Sequence, residues 1–208
     1  MAGYYELMTY INEMAEAKGY SQDYVDFLKD CAGWANNYQR GEIYFGLENG
    51  VDVSVYADPK FGRWEMYQIR MGLESGVDVS KYADPKYDHK QMYEIRRGLE
   101  SGVDVSVYDD SEFDDDQMAQ IRWGLEDGFD VSVYADPKFD YSQMEQIRMG
   151  FEAGVDVSIY ADPKFNWMQM EQIRLGLESG VDVLKYADPQ FGDLAMRRIR
   201  ERLEAKKN

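Results

Sequence analysis

The sequence predicts an all-α solenoid: repeats of long helix, turn and short helix, closed by capping helices at both ends. Three observations predict it. A branched core residue recurs every 26 positions without slip, at Ile43, Ile69, Ile95, Ile121, Ile147, Ile173 and Ile199. All five prolines (Pro59, Pro85, Pro137, Pro163, Pro189) fall at one position of that period. Glycine ends the long segment of each unit, at Gly50, Gly76, Gly102, Gly128, Gly154 and Gly180. The organisation that follows is an N-terminal helical cap over 1–35, six repeats over 36–191, and a C-terminal capping helix with a basic tail over 192–208. One continuous array is expected, because a single repeat buries its apolar face only against its neighbours.

Residues 1–35 lie outside the period. Tyr4, Leu7, Met8, Ile11 and Met14 form a helical stripe that stops near Gly19. Ser21 can cap a second helix bearing Tyr24, Phe27, Leu28 and Cys31. The first repeat is altered where this pair should meet it, with Ala35 in place of an aromatic and Arg40 in place of a methionine.

The unit FDYSQMEQIRMGFEAGVDVSIYADPKF (Phe139 to Phe165) shows the grammar. Asp140 is the helix N-cap, and Gln143 three residues later completes a capping box. Phe139 can fold onto Met144 as a hydrophobic staple. Met144, Ile147 and Phe151 give the buried stripe. Gly154 closes the helix in the left-handed conformation. Asp156 then caps a second, shorter helix through Val157, Tyr160 and Ala161, which Asp162-Pro163 ends. Glycine also recurs inside the long helix (Gly46, Gly72, Gly98, Gly124, Gly150, Gly176), where it costs about 1 kcal/mol against alanine. Close approach of the neighbouring repeat's backbone is the expected compensation; a hinge is the functional alternative.

The middle of the array departs most: DDSEFDDDQ follows Tyr108 where other units read ADPKF. Asp109, Asp110, Glu112, Asp114, Asp115 and Asp116 make an acidic patch. An EF-hand loop counted from Asp110 needs glycine sixth and glutamate twelfth, and the chain has Asp115 and Ile121 there. A solvated acidic turn or partner-facing patch is expected, not a calcium loop. At the other end, Arg202 replaces the internal glycine, and Arg197, Arg198, Arg200, Lys206 and Lys207 complement a helix C-terminus.

The net charge of −17 excludes plain nucleic-acid binding and disfavours anionic membrane surfaces. About half of the acidic residues belong to the recurring Glu48, Asp52 and Asp58 positions and to caps. No apolar run has membrane-spanning length, no signal peptide is read, and the single cysteine fits a reducing cytoplasm. Catalysis is not expected: His89 is the one histidine, no phosphate-cradling glycine loop occurs, and no metal or cofactor is expected. The recurring Arg148/Glu152 pair (Arg70/Glu74, Arg96/Glu100, Arg122/Glu126, Arg174/Glu178) reads as inter-repeat salt bridges.

Projected at 3.6 residues per turn, Trp64, Tyr67 and Met71 face away from the core stripe. With Tyr93, Arg97, Trp123, Tyr141, Met149, Trp167 and Leu175 they form the candidate partner-binding face, rich in residue types that anchor interfaces. Packing of that face on the short helices of the next repeat is the structural alternative.

The string QMEQIRxGLExGVDVSxYADPKF resembles short helical repeats of poorly characterised proteins from gut bacteria and their mobile elements. The resemblance implies an α-helical repeat fold and carries no activity. The expected function is a protein-interaction scaffold. The alternatives are an acidic nucleic-acid mimic that inhibits a host defence nuclease, its partner a basic nucleic-acid-binding protein, and a designed or consensus-like array without a natural partner.

Overall fold

The computed structural model describes residues 3–207, so positions 1, 2 and 208 of the two predicted caps lie outside the described residues. Among these residues there are nine α-helices, six three-residue 3-10 turns and no strand. The helices are α1 (Tyr4–Lys18), α2 (Gln22–Trp34), α3 (Asn37–Asn49), α4 (Arg63–Ser75), α5 (His89–Ser101), α6 (Asp115–Glu126), α7 (Tyr141–Glu152), α8 (Trp167–Glu178) and α9 (Asp193–Lys207). The fold class is that of a helical repeat protein. The chain divides into two compact units between Gly102 and Val103. In the first, α1 packs on α2 and α3, α3 on α4, and α4 on α5; in the second, α6 to α9 pack each on the next.

Each long helix starts where a side chain satisfies its free N–H groups. Asn36, Asp88, Asp114, Asp140 and Asn166 accept from the first turn, and Gln39, Gln91, Gln117, Gln143 and Gln169 return the bond to the cap backbone. Gly62 starts α4 without a side-chain cap. The glutamines have a second task. Their amides donate to the carbonyl of the aromatic that opens the next unit: Gln39 to Phe61 (3.0 Å), Gln117 to Phe139 (2.6 Å) and Gln169 to Phe191 (2.6 Å). The helices α1 and α3 to α8 end at glycines with φ between 66° and 78°; Val155 N–H then reaches the Gly150 carbonyl at 3.0 Å.

The predicted short helix is a single 3-10 turn, for example Val157–Ile159. Asp156 does cap it, accepting from the Ser158 backbone and hydroxyl. Tyr160 leaves helical geometry at φ −133°, ψ −2°, so Tyr160 and Ala161 lie beyond the helix. That departure turns the phenol inward, onto the internal glycine. A Cβ on Gly150 would lie 1.9 Å from the Tyr160 hydroxyl and 2.8 Å from Val157 Cγ1. The same pairs occur at Gly46/Tyr56, Gly72/Tyr82, Gly124/Tyr134 and Gly176/Tyr186. The glycine therefore admits a side chain of its own unit, not a neighbour's backbone. Each phenol donates to a helix carbonyl: Tyr56 to Glu42, Tyr82 to Gln68, Tyr134 to Gln120, Tyr160 to Gln146 and Tyr186 to Gln172, at 2.9–3.2 Å. Burial raises the pKa of all five, that of Tyr186 to about 12.

The N-terminal pair buries Leu7 and Ile11 of α1, with Val25, Leu28, Cys31 and Ala32 of α2. Arg40 fastens it, its Nε donating to the Ala32 carbonyl (2.8 Å) and its guanidinium covering the Tyr4 ring. Burial pushes the Cys31 thiol up to about 11. At the other end Lys207 donates to the Ser179 carbonyl (2.8 Å), capping α8.

Candidate functional site

The capping boxes fix the register of every long helix, and with it the direction of every side chain. Counted from the cap, positions four and seven carry the fully buried Met and Ile, and position ten the glycine under tyrosine. Positions one, five and nine follow one another at i, i+4 and i+8 and form one outward stripe on each long helix. Tyr67 and Met71, Tyr93 and Arg97, Trp123, Tyr141 and Met149, and Trp167 and Leu175 all occupy it. Trp64 stands one residue to the side, at position two. Trp64, Tyr93, Trp123, Tyr141 and Trp167 are 40–50% exposed, whereas Tyr67, Met71, Met149 and Leu175 are half-buried. The Val and Tyr side chains at the 3-10 turns sit on the internal glycines, at position ten, and not on positions one, five and nine.

An arginine layer underlies it. The recurring arginine–glutamate pairs are bonds within one helix at i, i+4, seen in Arg70–Glu74, Arg96–Glu100, Arg122–Glu126, Arg148–Glu152, Arg174–Glu178 and Arg200–Glu204. This corrects the inter-repeat reading: residues four apart on a helix already face each other. The link between repeats comes from the arginine Nε, which donates to the preceding helix. Arg70 reaches Glu42 (3.0 Å), Arg96 reaches Gln68 (3.1 Å), Arg148 reaches Gln120 (3.0 Å) and Arg174 reaches Gln146 (3.1 Å). The glutamates join in from above, Glu74 accepting from Asn49 and Glu100 from Ser75. Burial acts to raise the Glu100 pKa, but bonds from Arg96, Ser75 and Arg97 hold it below the usual carboxylate range.

Four of these guanidiniums, those of Arg70, Arg96, Arg122 and Arg148, lie over aromatic rings of the outward side. Arg70 lies over Phe45 (5.6 Å) and Tyr67 (5.4 Å), and Arg96 over Tyr93 (5.4 Å). In the second unit Arg122 and Arg148 both lie against Trp123, at 5.5 and 5.6 Å. Arg63 lies against both Tyr38 (4.8 Å) and Trp64 (4.4 Å), and Trp64 meets His89 at 6.2 Å. The Arg63 Nε is buried without a hydrogen-bond partner, 3.7 Å from Glu42. Such contacts hold aromatic rings at fixed positions while leaving their outer faces in water. The sequence reading missed Tyr38, Arg63 and the arginine layer. Phe45 occupies in the first repeat the position that Met71 holds in the second.

The acidic patch separates into individual roles. Asp114 caps α6, accepting from Gln117 N–H at 2.8 Å. Asp115 and Asp116 sit in the first turn, where the helix dipole favours them. Asp110 closes its turn by accepting from Glu112 N–H (3.0 Å), as Asp58, Asp84, Asp136, Asp162 and Asp188 do in theirs. The Asp109 N–H bonds the Val105 carbonyl, and Glu112 is exposed. Among the described residues no group of three or more His, Cys, Asp or Glu side chains is placed to hold a metal ion, and no helix is long and apolar enough to cross a membrane. Comparison of the chain with protein-family models, with curated proteins and with solved structures finds no match.

Proposed function

We propose that the chain is a protein-interaction scaffold that receives a partner on the outward stripe of its long helices. The observation that carries this reading is the arginine layer. It immobilises large aromatic side chains that are exposed at a cost the fold does not require. Pre-ordered aromatic anchors lose little conformational entropy on binding, which is how interface hot spots work. The stripe is bordered by Glu74, Glu100, Glu126, Glu152 and Glu178 on a chain of net charge −17. The partner surface it complements is apolar and basic.

The test is affinity capture from a host lysate by three forms of the chain: wild type, Trp64→Ser/Tyr93→Ser/Trp123→Ser, and Glu112→Gln/Asp116→Asn. The expected result is a protein retained by the wild type and the acidic-turn variant and lost from the stripe variant. Retention that follows the acidic turn, and disappears when salt is raised, overturns the scaffold reading in favour of an acidic mimic of nucleic acid.

A further inference from the structure

The last helix departs from its predecessors on one face. Leu194, Arg198, Arg202 and Lys206 recur at i, i+4, i+8 and i+12, all exposed, with Leu194 at 64%. Arg198 stands where α7 and α8 carry Gln146 and Gln172, which accept from the next helix's arginine. Arg202 stands where they carry the internal glycine. The other cations of α9 are engaged: Arg197 with Glu201, Arg200 with Glu204 and Gln172, and Lys207 on the end of α8. Among the described residues Arg198, Arg202 and Lys206 have no ion-pair partner. This face therefore rejects a repeat that presents arginine and accepts a helix that presents carboxylates.

Such a helix exists on the chain. Opposite its buried Leu7 and Ile11, α1 presents Tyr5, Thr9 and Glu13 at i, i+4 and i+8, flanked by Glu6 and Glu16. All five are exposed, and among the described residues none of the three glutamates is in an ion pair. The nearby helix α2 adds exposed Asp23, Asp26 and Asp30.

We propose that α9 of one copy docks on α1 of a second copy, head to tail. Neighbouring long helices within each unit run parallel, since their cross-links join matching positions. A parallel α9–α1 pairing sets Leu194 by Tyr5, Arg202 by Glu13 and Lys206 by Glu16. The contact is heterologous, so it builds rings where the rotation closes and open chains where it does not. It uses a different surface from the outward stripe and is independent of that reading.

Salt dependence gives a sharp signature. The Debye length is about 30 Å at 0.01 M, about 10 Å at 0.1 M and about 3 Å at 1 M. Repulsion between two chains of charge −17 dominates at the first, local pairing survives at the second, and both are screened at the third. Sedimentation velocity on the full chain should show average mass rising with concentration near 0.1 M salt, and monomer at both extremes. Arg198→Glu/Arg202→Glu/Lys206→Glu and Glu6→Lys/Glu13→Lys/Glu16→Lys should each stay monomeric with unchanged helical circular dichroism, and their mixture should associate again. If charge reversal unfolds either one, Arg198→Gln/Arg202→Gln and Glu13→Gln/Glu16→Gln replace them, each expected to lose association. A wild type monomeric at all three salt levels, association that survives 1 M salt, or association indifferent to the α1 changes overturns the proposal.

Discussion

Two faces of the same helix obey opposite rules. At position ten from each cap, Gly46, Gly72, Gly124, Gly150 and Gly176 all receive a tyrosine hydroxyl ten residues further on. One residue earlier, at position nine, the chain carries Phe45, Met71, Arg97, Trp123, Met149, Leu175 and Glu201. The first position touches a buried hydrogen-bonded phenol, where one methyl group has no room. The second lies at the surface, half-buried to exposed, beside an arginine at Phe45 and Trp123, and accepts side chains of many kinds. Uniformity marks what holds the fold, and variety marks the surface released for other uses.

The largest test of the invariant face is alkali. Each buried phenol is neutral in the fold, with its pKa raised above the unfolded value near 10. Its stabilisation is complete below that value and is lost as pH rises above it, by about 1.4 kcal/mol per pH unit per tyrosine. With five such groups, cooperative unfolding is expected between pH 10 and 12. Circular dichroism should fall together with the rise of phenolate absorbance from the buried set. Phenolate appearing in the five while helix persists would break the contrast.

A smaller effect separates two arginines that look alike in sequence. Arg70 holds Glu42, a carboxylate only 4% exposed, whereas Arg174 holds the neutral Gln146. Removing the cation from a buried pair strands a charge, so Arg70→Met should destabilise by about 3 kcal/mol. Arg174→Met should cost about 1 kcal/mol, the worth of its hydrogen bonds. Urea unfolding midpoints measure both, and the reverse order would show that Arg63, 3.7 Å from Glu42, already neutralises it.

The smallest and most local test is a double-mutant cycle. Gly150→Ala should destabilise by about 2 kcal/mol, because overpacking outweighs the gain in helix propensity. Tyr160→Phe should cost about 1 kcal/mol for its bond to Gln146. The double variant should cost less than the two together, since the hydroxyl that lies nearest the added methyl is gone. A stabilising Gly150→Ala would make the glycine a mere propensity defect.

What could be read from sequence was whatever the backbone demands locally. Asp140 with Gln143, Gly154 and Asp162-Pro163 each announce a cap, a stop or a turn within a few residues, and the structure has them there. The outward stripe was legible by the same logic, since projecting Trp64, Tyr67 and Met71 needs only the helix register. The rest depends on distances between elements. Tyr160 reaches Gly150 only because it leaves the 3-10 turn, which shortens the expected helix. The partner of Arg148 could not be told from spacing: Glu152 lies in its own helix, and Gln120 comes near only when α6 and α7 pack. The acidic run Asp109–Asp116 looked like one feature and is several turn and cap duties placed side by side.

The recurring cross-repeat bonds join residues at constant separations: 20 and 22 for the glutamine amides, 25 for the glutamate contacts and 28 for the arginines. A crossover between two units in register would add or delete one full period and still find the same donors and acceptors waiting. Copy number is thus free to drift under recombination with no redesign of the interior. A lineage could lengthen or shorten its reach in single steps, each immediately foldable.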